Sequence, residues 1–194
     1  MPTGVRITDA RTRLFDAAEA VLLRSGPSAL TSRAVTDEAG CAKGVLHRHF
    51  ADFDDFLAAL VRDRVARVED QGAALARRAG TGDVVDNVAA ALTELFGSVA
   101  AAIVSLLIFR DDLRARLRAD TPTGIPLLTE AAAMLADYLA RERELGRVAA
   151  DADPDVLAPT LLGGGHLAYA DRDGARPESV RAMVAAVLAG VTRP

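Results

Sequence analysis

Cysteine occurs once in this 194-residue chain, tryptophan is missing, and lysine supplies one of the 23 basic residues. A lone Cys41 can form no intramolecular disulfide, which fits a reducing cytoplasm; at its place in the chain it reads as a small core hydrophobe. Aromatics are only 4% of residues, so the core has to be built from aliphatic side chains. The alternation that marks half-buried strands is missing, and alanine is abundant; together these predict an all-α protein. The longest apolar run, Val99 to Phe109, is about half the ~20 residues of a membrane span, and no secretion signal opens the chain. The expectation is a cytoplasmic protein with no membrane partner.

Catalytic patterns are sparse too. There is no Cys–His pair, no phosphate-binding glycine loop and no G-x-S-x-G elbow, which disfavours a small helical-bundle enzyme. His47 and His49 stand two apart, point in different directions on a helix and make a poor metal pair. Asp151, Asp153 and Asp155 lack the glycine and closing glutamate of a calcium loop, so capping accounts for them better. No metal and no cofactor is expected.

What is present is apolar and helical: 51% hydrophobic and 26% charged residues, enough chain to bury a core and carry two modules. The net charge of −4 is unevenly spread. Residues 1–50 hold seven basic residues (Arg6, Arg11, Arg13, Arg24, Arg33, Lys43, Arg48) against five acids, a surplus of two, which leaves the remainder six units negative. An acidic body would keep nucleic acid at the amino-terminal tip.

That tip contains the stretch Leu30 to Phe50, LTSRAVTDEAGCAKGVLHRHF. Thr31 or Ser32 can cap a short helix on which Val35 and Ala39 share a face. Gly40 follows, where a chain leaving a helix often turns left-handed. A second helix from about Ala42 to Phe50 turns Leu46 and Phe50 inward. Helix, glycine turn and helix match the helix-turn-helix unit, whose second helix enters the DNA major groove.

From Arg11 to Leu60 the sequence resembles the DNA-binding domain of the TetR (tetracycline repressor) family of one-component bacterial transcription regulators. The residues that carry the likeness are LF-x-A-A and G upstream, LT-x-R-x-V-x-x-E-A-G, and K-G-x-L-x-x-H-F with the helix that follows. The family usually has Ser or Thr at the position of Ala42, Thr at Val45, Tyr at His47 and often Lys at Phe53, so the operator need not follow the family's common contacts. The resemblance implies DNA contact through Thr31, Ser32, Arg33, Ala42, Lys43, Gly44, Val45, His47, Arg48 and His49. Arg33 can donate bidentately to guanine, Lys43 anchors a phosphate, and His49 serves the backbone or the fold. It also implies a homodimer on a palindromic operator in double-stranded DNA, acting as a repressor, with residues 1–52 as the DNA-binding domain and 53–194 as a ligand-binding and dimerisation domain.

The rest of the chain reads as a helical bundle. Residues 1–7 form an arm, and a helix starts near Thr8 or Asp9 with Leu14, Phe15, Ala18, Val21 and Leu22 inward. Arg6, Arg11 and Arg13 near its start read equally as phosphate contacts or solvated side chains. Asp52 caps a helix that runs to about Arg78 and links the modules. Asp83 to Phe109 reads as one helix, apolar all round, and Pro126 as part of the first turn of another. Asp153-Pro154 starts a helix with Gly163, Gly164 and Gly165 in its middle, which requires a close backbone neighbour or a bend. A loop from Asp171 to Arg176 leads to a last helix striped with Val180, Met183, Val184, Val187, Leu188 and Val191.

Val156, Leu161, Val180, Val184, Val187 and Leu188 are the dimer candidates, since in the resembled family the last two helices pair with their symmetry mates. A small, largely apolar effector would sit among Phe96, Val99, Ile103, Leu107, Met134 and Tyr138, with His166 and Tyr169 as polar contacts. Control by a protein partner, with no small ligand, is the alternative.

Overall fold

The structure, a computed structural model, describes residues 5–42, 44–97, 99–169 and 177–193. Among these the helices are α1 (Val5–Ser25), α2 (Ser32–Glu38), α3 (Gly44–His49), α4 (Phe53–Ala76), α5 (Val84–Phe96), α6 (Ala100–Ile108), α7 (Asp111–Leu117), α8 (Leu128–Glu144), α9 (Pro154–Tyr169) and α10 (Pro177–Val187). The fold is all-α, as predicted; the extended pairing among the described residues is one antiparallel bridge, Val148 to Thr192. No single helix among them is long and apolar enough to cross a membrane. The expected loop at 171–176 lies outside the described residues.

Two compact units divide the chain. The first comprises Met1–Asp63 and Ala101–Thr123. Here α1 buries the predicted stripe of Leu14, Phe15, Ala18, Val21 and Leu22, although it starts at Val5, before the expected Thr8. Phe15, Phe50 and Phe56 meet beneath the short α3, with centroids 6.0, 5.7 and 5.1 Å apart, and Phe53 stacks on Phe56 at 5.6 Å. Asp52 caps α4 by accepting the Asp55 amide at 2.6 Å, while the Asp55 carboxylate accepts the Ala51 amide at 3.1 Å.

The segment Ala101–Thr123 belongs to this unit because α7 buries Leu113 and Leu117 there. Three ion pairs border it: Arg110 to Asp54 at 2.9 Å, Arg116 to Asp52 at 2.9 Å and Arg62 to Asp120 at 2.8 Å. Such solvent-facing pairs contribute little singly. The two leucines, at roughly 1.5–3 kcal/mol for each fully buried side chain, dominate the docking.

The second unit comprises Arg64–Ala100 and Gly124–Pro194. Its core joins α5, α8, α9 and α10 through Val88, Leu92, Leu135, Leu139, Leu161, Val180, Val184 and Leu188, all buried. The single helix expected from Asp83 to Phe109 is instead two. Gly97 ends α5 by returning its amide to the Thr93 carbonyl at 2.8 Å. Helix α8 begins two residues after Pro126, because Leu127 takes φ 73° and gives its amide to the Glu130 carboxylate at 2.6 Å.

Two of the three glycines of α9 are explained by side chains rather than by another backbone. A Cβ on Gly164 would stand 2.7 Å from Met183 Sδ of α10, and one on Gly165 would stand 2.6 Å from Phe96 Cε2 of α5. Gly163 faces open space.

One polar network crosses this apolar interior. The Tyr138 hydroxyl donates to Glu142 Oε1 at 2.6 Å and accepts from Asn87 Nδ2 at 3.0 Å. Asn87 also reaches the Thr81 carbonyl at 2.8 Å, and Glu142 Oε2 accepts the Gly80 amide at 3.2 Å beside Arg147 at 3.4 Å. The α4–α5 loop is thereby fastened to α8.

Tyr138→Phe leaves a buried carboxylate oxygen short of a donor and should cost about 1–3 kcal/mol in urea unfolding. Burial first, then the Glu142 hydrogen bond, raises the Tyr138 phenol above its ordinary value of 10.0. The neutral phenol is the form the fold prefers. Its contribution is therefore complete below pH 10 and drains away as pH rises beyond it. The alkaline loss should be smaller in the Phe variant; identical profiles for the two proteins would contradict this assignment.

Candidate functional site

The two ends of α2 are set by local hydrogen bonds. Thr31 Oγ1 accepts the Ala34 amide at 3.1 Å and caps α2. At the other end the Gly40 amide bonds the Asp37 carbonyl at 3.2 Å, and the Cys41 amide bonds the Thr36 carbonyl at 3.0 Å. This is a Schellman turn with Gly40 in the left-handed position at φ 61°. Buried Thr36 returns its hydroxyl to the Ser32 and Arg33 carbonyls at 3.0 and 3.1 Å. Helix α3, six residues long, is anchored by buried Leu46 and by Phe50 just past its end.

With those side chains inward, the opposite face of the motif is left to solvent. Thr31, Arg33, Ala42, Gly44, His47 and Arg48 are exposed, and Ser32, Val45 and His49 are half-buried. Lys43 lies outside the described residues. The structure therefore gathers the described members of the predicted DNA-contacting set on α2, α3 and the turn between them. Arg33 sits 3.6 Å from Asp37, with both side chains largely in solvent. Cys41 is half-buried.

Three arginines of α1 lean on this motif. Arg24 donates to Glu38 at 2.7 Å, and that hydrogen bond and charge hold the Glu38 carboxyl below its usual range. Arg13 Nη2 donates to the Ala39 carbonyl at 2.9 Å. The Arg11 guanidinium lies 4.9 Å from the Phe50 ring centroid. Their partners include a ring and a backbone carbonyl, which pairing rules for charged residues do not reveal. Asp52, two residues beyond Phe50, is held below the usual carboxylate range by the Asp55 amide and then by Arg116.

The predicted effector residues divide. Ile103 and Leu107 belong to the first compact unit, the other six to the second. Of those six, Phe96, His166 and Tyr169 come together: Phe96 stacks on Tyr169 at 5.7 Å and meets His166 at 6.1 Å. Tyr138 is fully buried with its hydroxyl engaged by Glu142 and Asn87, so it presents no free polar atom. Met134 packs against Gly72 of α4. A cleft of about 280 Å³ opens elsewhere, lined by Gln71, Ala74, Leu75, Arg78, Ala91 and Glu94. It shares no residue with the predicted set, and the apolar pattern gave no sign of it.

The dimer candidates divide as well. Leu161, Val180, Val184 and Leu188 are buried within the single chain, where they hold α9 and α10 to the bundle. A side chain buried in this way presents little surface on the single chain. Val187 is half-buried, while Val156 is 60% exposed and Leu167, not among the candidates, 73%. Their spacing of eleven places both on one side of α9, away from Leu161 and Leu162.

Comparison with known proteins agrees with this geometry. The family model described as bacterial regulatory proteins, tetR family, matches residues 14–60, the span from the Leu14 stripe of α1 into α4. A search of curated proteins by sequence finds no match. Among solved structures, the fold is similar to that of Escherichia coli NemR in its reduced form, with TM-score 0.73, 18% identity and coverage of 96% of this chain and 98% of that one. SmeT, the repressor of the Stenotrophomonas maltophilia multidrug efflux pump SmeDEF, matches with TM-score 0.64 and 22% identity over 94% and 90% of the two chains. Bacillus subtilis FadR in complex with stearoyl-CoA matches with TM-score 0.69 and 15% identity over 93% and 98%.

Proposed function

We propose that this chain, which carries the DNA-binding domain of the tetR family of transcription regulators at residues 14–60, is a homodimeric cytoplasmic repressor that leaves a palindromic operator when a small molecule binds. The match over that segment, laid on the outward face of α2 and α3, is the observation that carries the reading. Residues 1–52 are the DNA-binding part, and 53–194 bind the effector and the second protomer. Arg33 and the exposed side of α3 from Gly44 to Arg48 read bases, while Thr31, Ser32 and Lys43 hold phosphates. Freeing Arg33 from its loose contact with Asp37 costs little, and a bidentate bond to guanine is worth about 1–3 kcal/mol of discrimination.

The dimer surface is the outward side of α9 and α10. Val156 and Leu167 supply apolar area, and exposed Gly163, Ala182 and Ala186 are small enough for a second pair of helices to approach closely. The effector is small and largely apolar, with the Phe96, His166 and Tyr169 cluster as its contact in the second unit. That SmeT is a repressor and that FadR holds an acyl-CoA supports this division of labour. Helix α4, whose residues divide between the two compact units, is the lever.

Selection from random duplexes by the purified protein should enrich a two-fold symmetric site. Arg33→Ala should relax base preference at particular positions of that site; an unchanged selection profile would remove Arg33 from base reading. Leu167→Glu and Val156→Glu should shift sedimentation from dimer to monomer without loss of helix content, and dimers that persist in both would place the interface elsewhere. An effector found by thermal-shift screening must bind more weakly when the selected duplex is present, by the same factor by which it weakens DNA binding. Equal ligand affinity with and without DNA would leave binding but no induction.

A further inference from the structure

The arginines of α1 bear on the motif in a pattern that the DNA-reading residues do not account for. Arg24 ties α1 to the last turn of α2 through Glu38. Arg13 takes the Ala39 carbonyl, which the two amide bonds of the Schellman turn leave over. A cation at that end also meets the negative pole of α2. Arg11 lies over Phe50, the ring that seats the end of α3, and 5.8 Å from Phe15 of its own helix. The three contacts thus fall on the close of α2, the turn, and the close of α3, which are the points that set the angle between the two reading helices.

We propose that Arg11, Arg13 and Arg24 are positioning residues for DNA recognition: they hold α2 and α3 in register on α1 and do not themselves neutralise phosphates. Their charge makes them look like backbone contacts, but each guanidinium already has a partner in the protein: Arg24 the Glu38 carboxylate, Arg13 the Ala39 carbonyl and Arg11 the Phe50 ring. The proposal rests on α2 and α3 being the DNA interface. It makes a claim about these arginines that the interface alone does not require.

Salt dependence separates the two roles, because each phosphate neutralised adds about 0.9 to the slope of log affinity against log salt. The probes are the best duplex recovered by selection and a scrambled duplex of equal length. Affinities are measured across a salt series, well below each variant's unfolding midpoint. Arg13→Ala should lose about tenfold on the selected duplex, the scale of one hydrogen bond to a charged group. It should lose little on the scrambled duplex and keep the wild-type slope. Arg13→Lys should recover part of the loss, since one ammonium donor can still reach one carbonyl. Arg11→Ala should behave like Arg13→Ala. Lys43→Ala, the contrast, should weaken both duplexes and flatten the slope by about 0.9.

A flattened slope with equal losses on both duplexes for Arg13→Ala would overturn the proposal in favour of phosphate contact. A lowered unfolding midpoint with unchanged affinity for the selected duplex would overturn it in favour of a purely structural role. If selection enriches no duplex even for the wild type, the DNA-binding reading itself fails, and the proposal falls with it.

Discussion

The edge-on contact of Phe50 with Phe56, 5.1 Å between centroids, is what the helix-turn-helix depends on most. Helix α3 has six residues, far too few to persist alone in water. Its inward anchors are Leu46 and Phe50, and Phe50 is seated by rings from two other helices, Phe15 of α1 and Phe56 of α4. In a chain with so few aromatics, four phenylalanines are spent within this one cluster. The outward direction of Gly44, His47 and Arg48 follows from that seat, since a helix with one face pinned has no choice about the other.

Charge is arranged around the same point. Arg11 lies over Phe50, and Asp52, two residues on, both caps α4 and receives Arg116 from α7. Nearly every cation in the chain is an arginine. The planar guanidinium suits this use, because it stacks on rings and forks onto carboxylates in ways an ammonium cannot. The first unit is thus held by leucines and phenylalanines inside and by arginines at its edges.

Much of this was legible in the sequence. The Leu14 to Leu22 stripe has helical spacing, Thr31 and Gly40 are local start and stop signals, and Asp52 and Asp153 cap the helices they were expected to cap. What was illegible is tertiary. Gly97 lies in an apolar run whose periodicity continues through it, so a break between α5 and α6 leaves little trace. The stripe of Val180, Val184 and Leu188 says that one face of α10 is buried, but not in whose core. Ile103 and Leu107 continue the pattern of Phe96, yet the chain carries them into a different compact unit. Arg13 is bound by a carbonyl, and every residue in the chain has one.

The interleaving of the two units sets the order in which the protein can be completed. The first unit needs Met1–Asp63 together with Ala101–Thr123, and the second needs Arg64–Ala100 together with Gly124–Pro194. A chain emerging residue by residue can form α1 to α3 early, but Leu113, Leu117 and the partners of Asp52 and Asp54 arrive only after the start of the second unit has been made. Encoded first, the unit with the helix-turn-helix is finished late. Its closing contacts span more than fifty residues, the kind of long-range closure that slows folding and leaves apolar surface exposed in the meantime. A nascent chain stalled before residue 100 would hold the whole helix-turn-helix sequence without the helices that complete its unit.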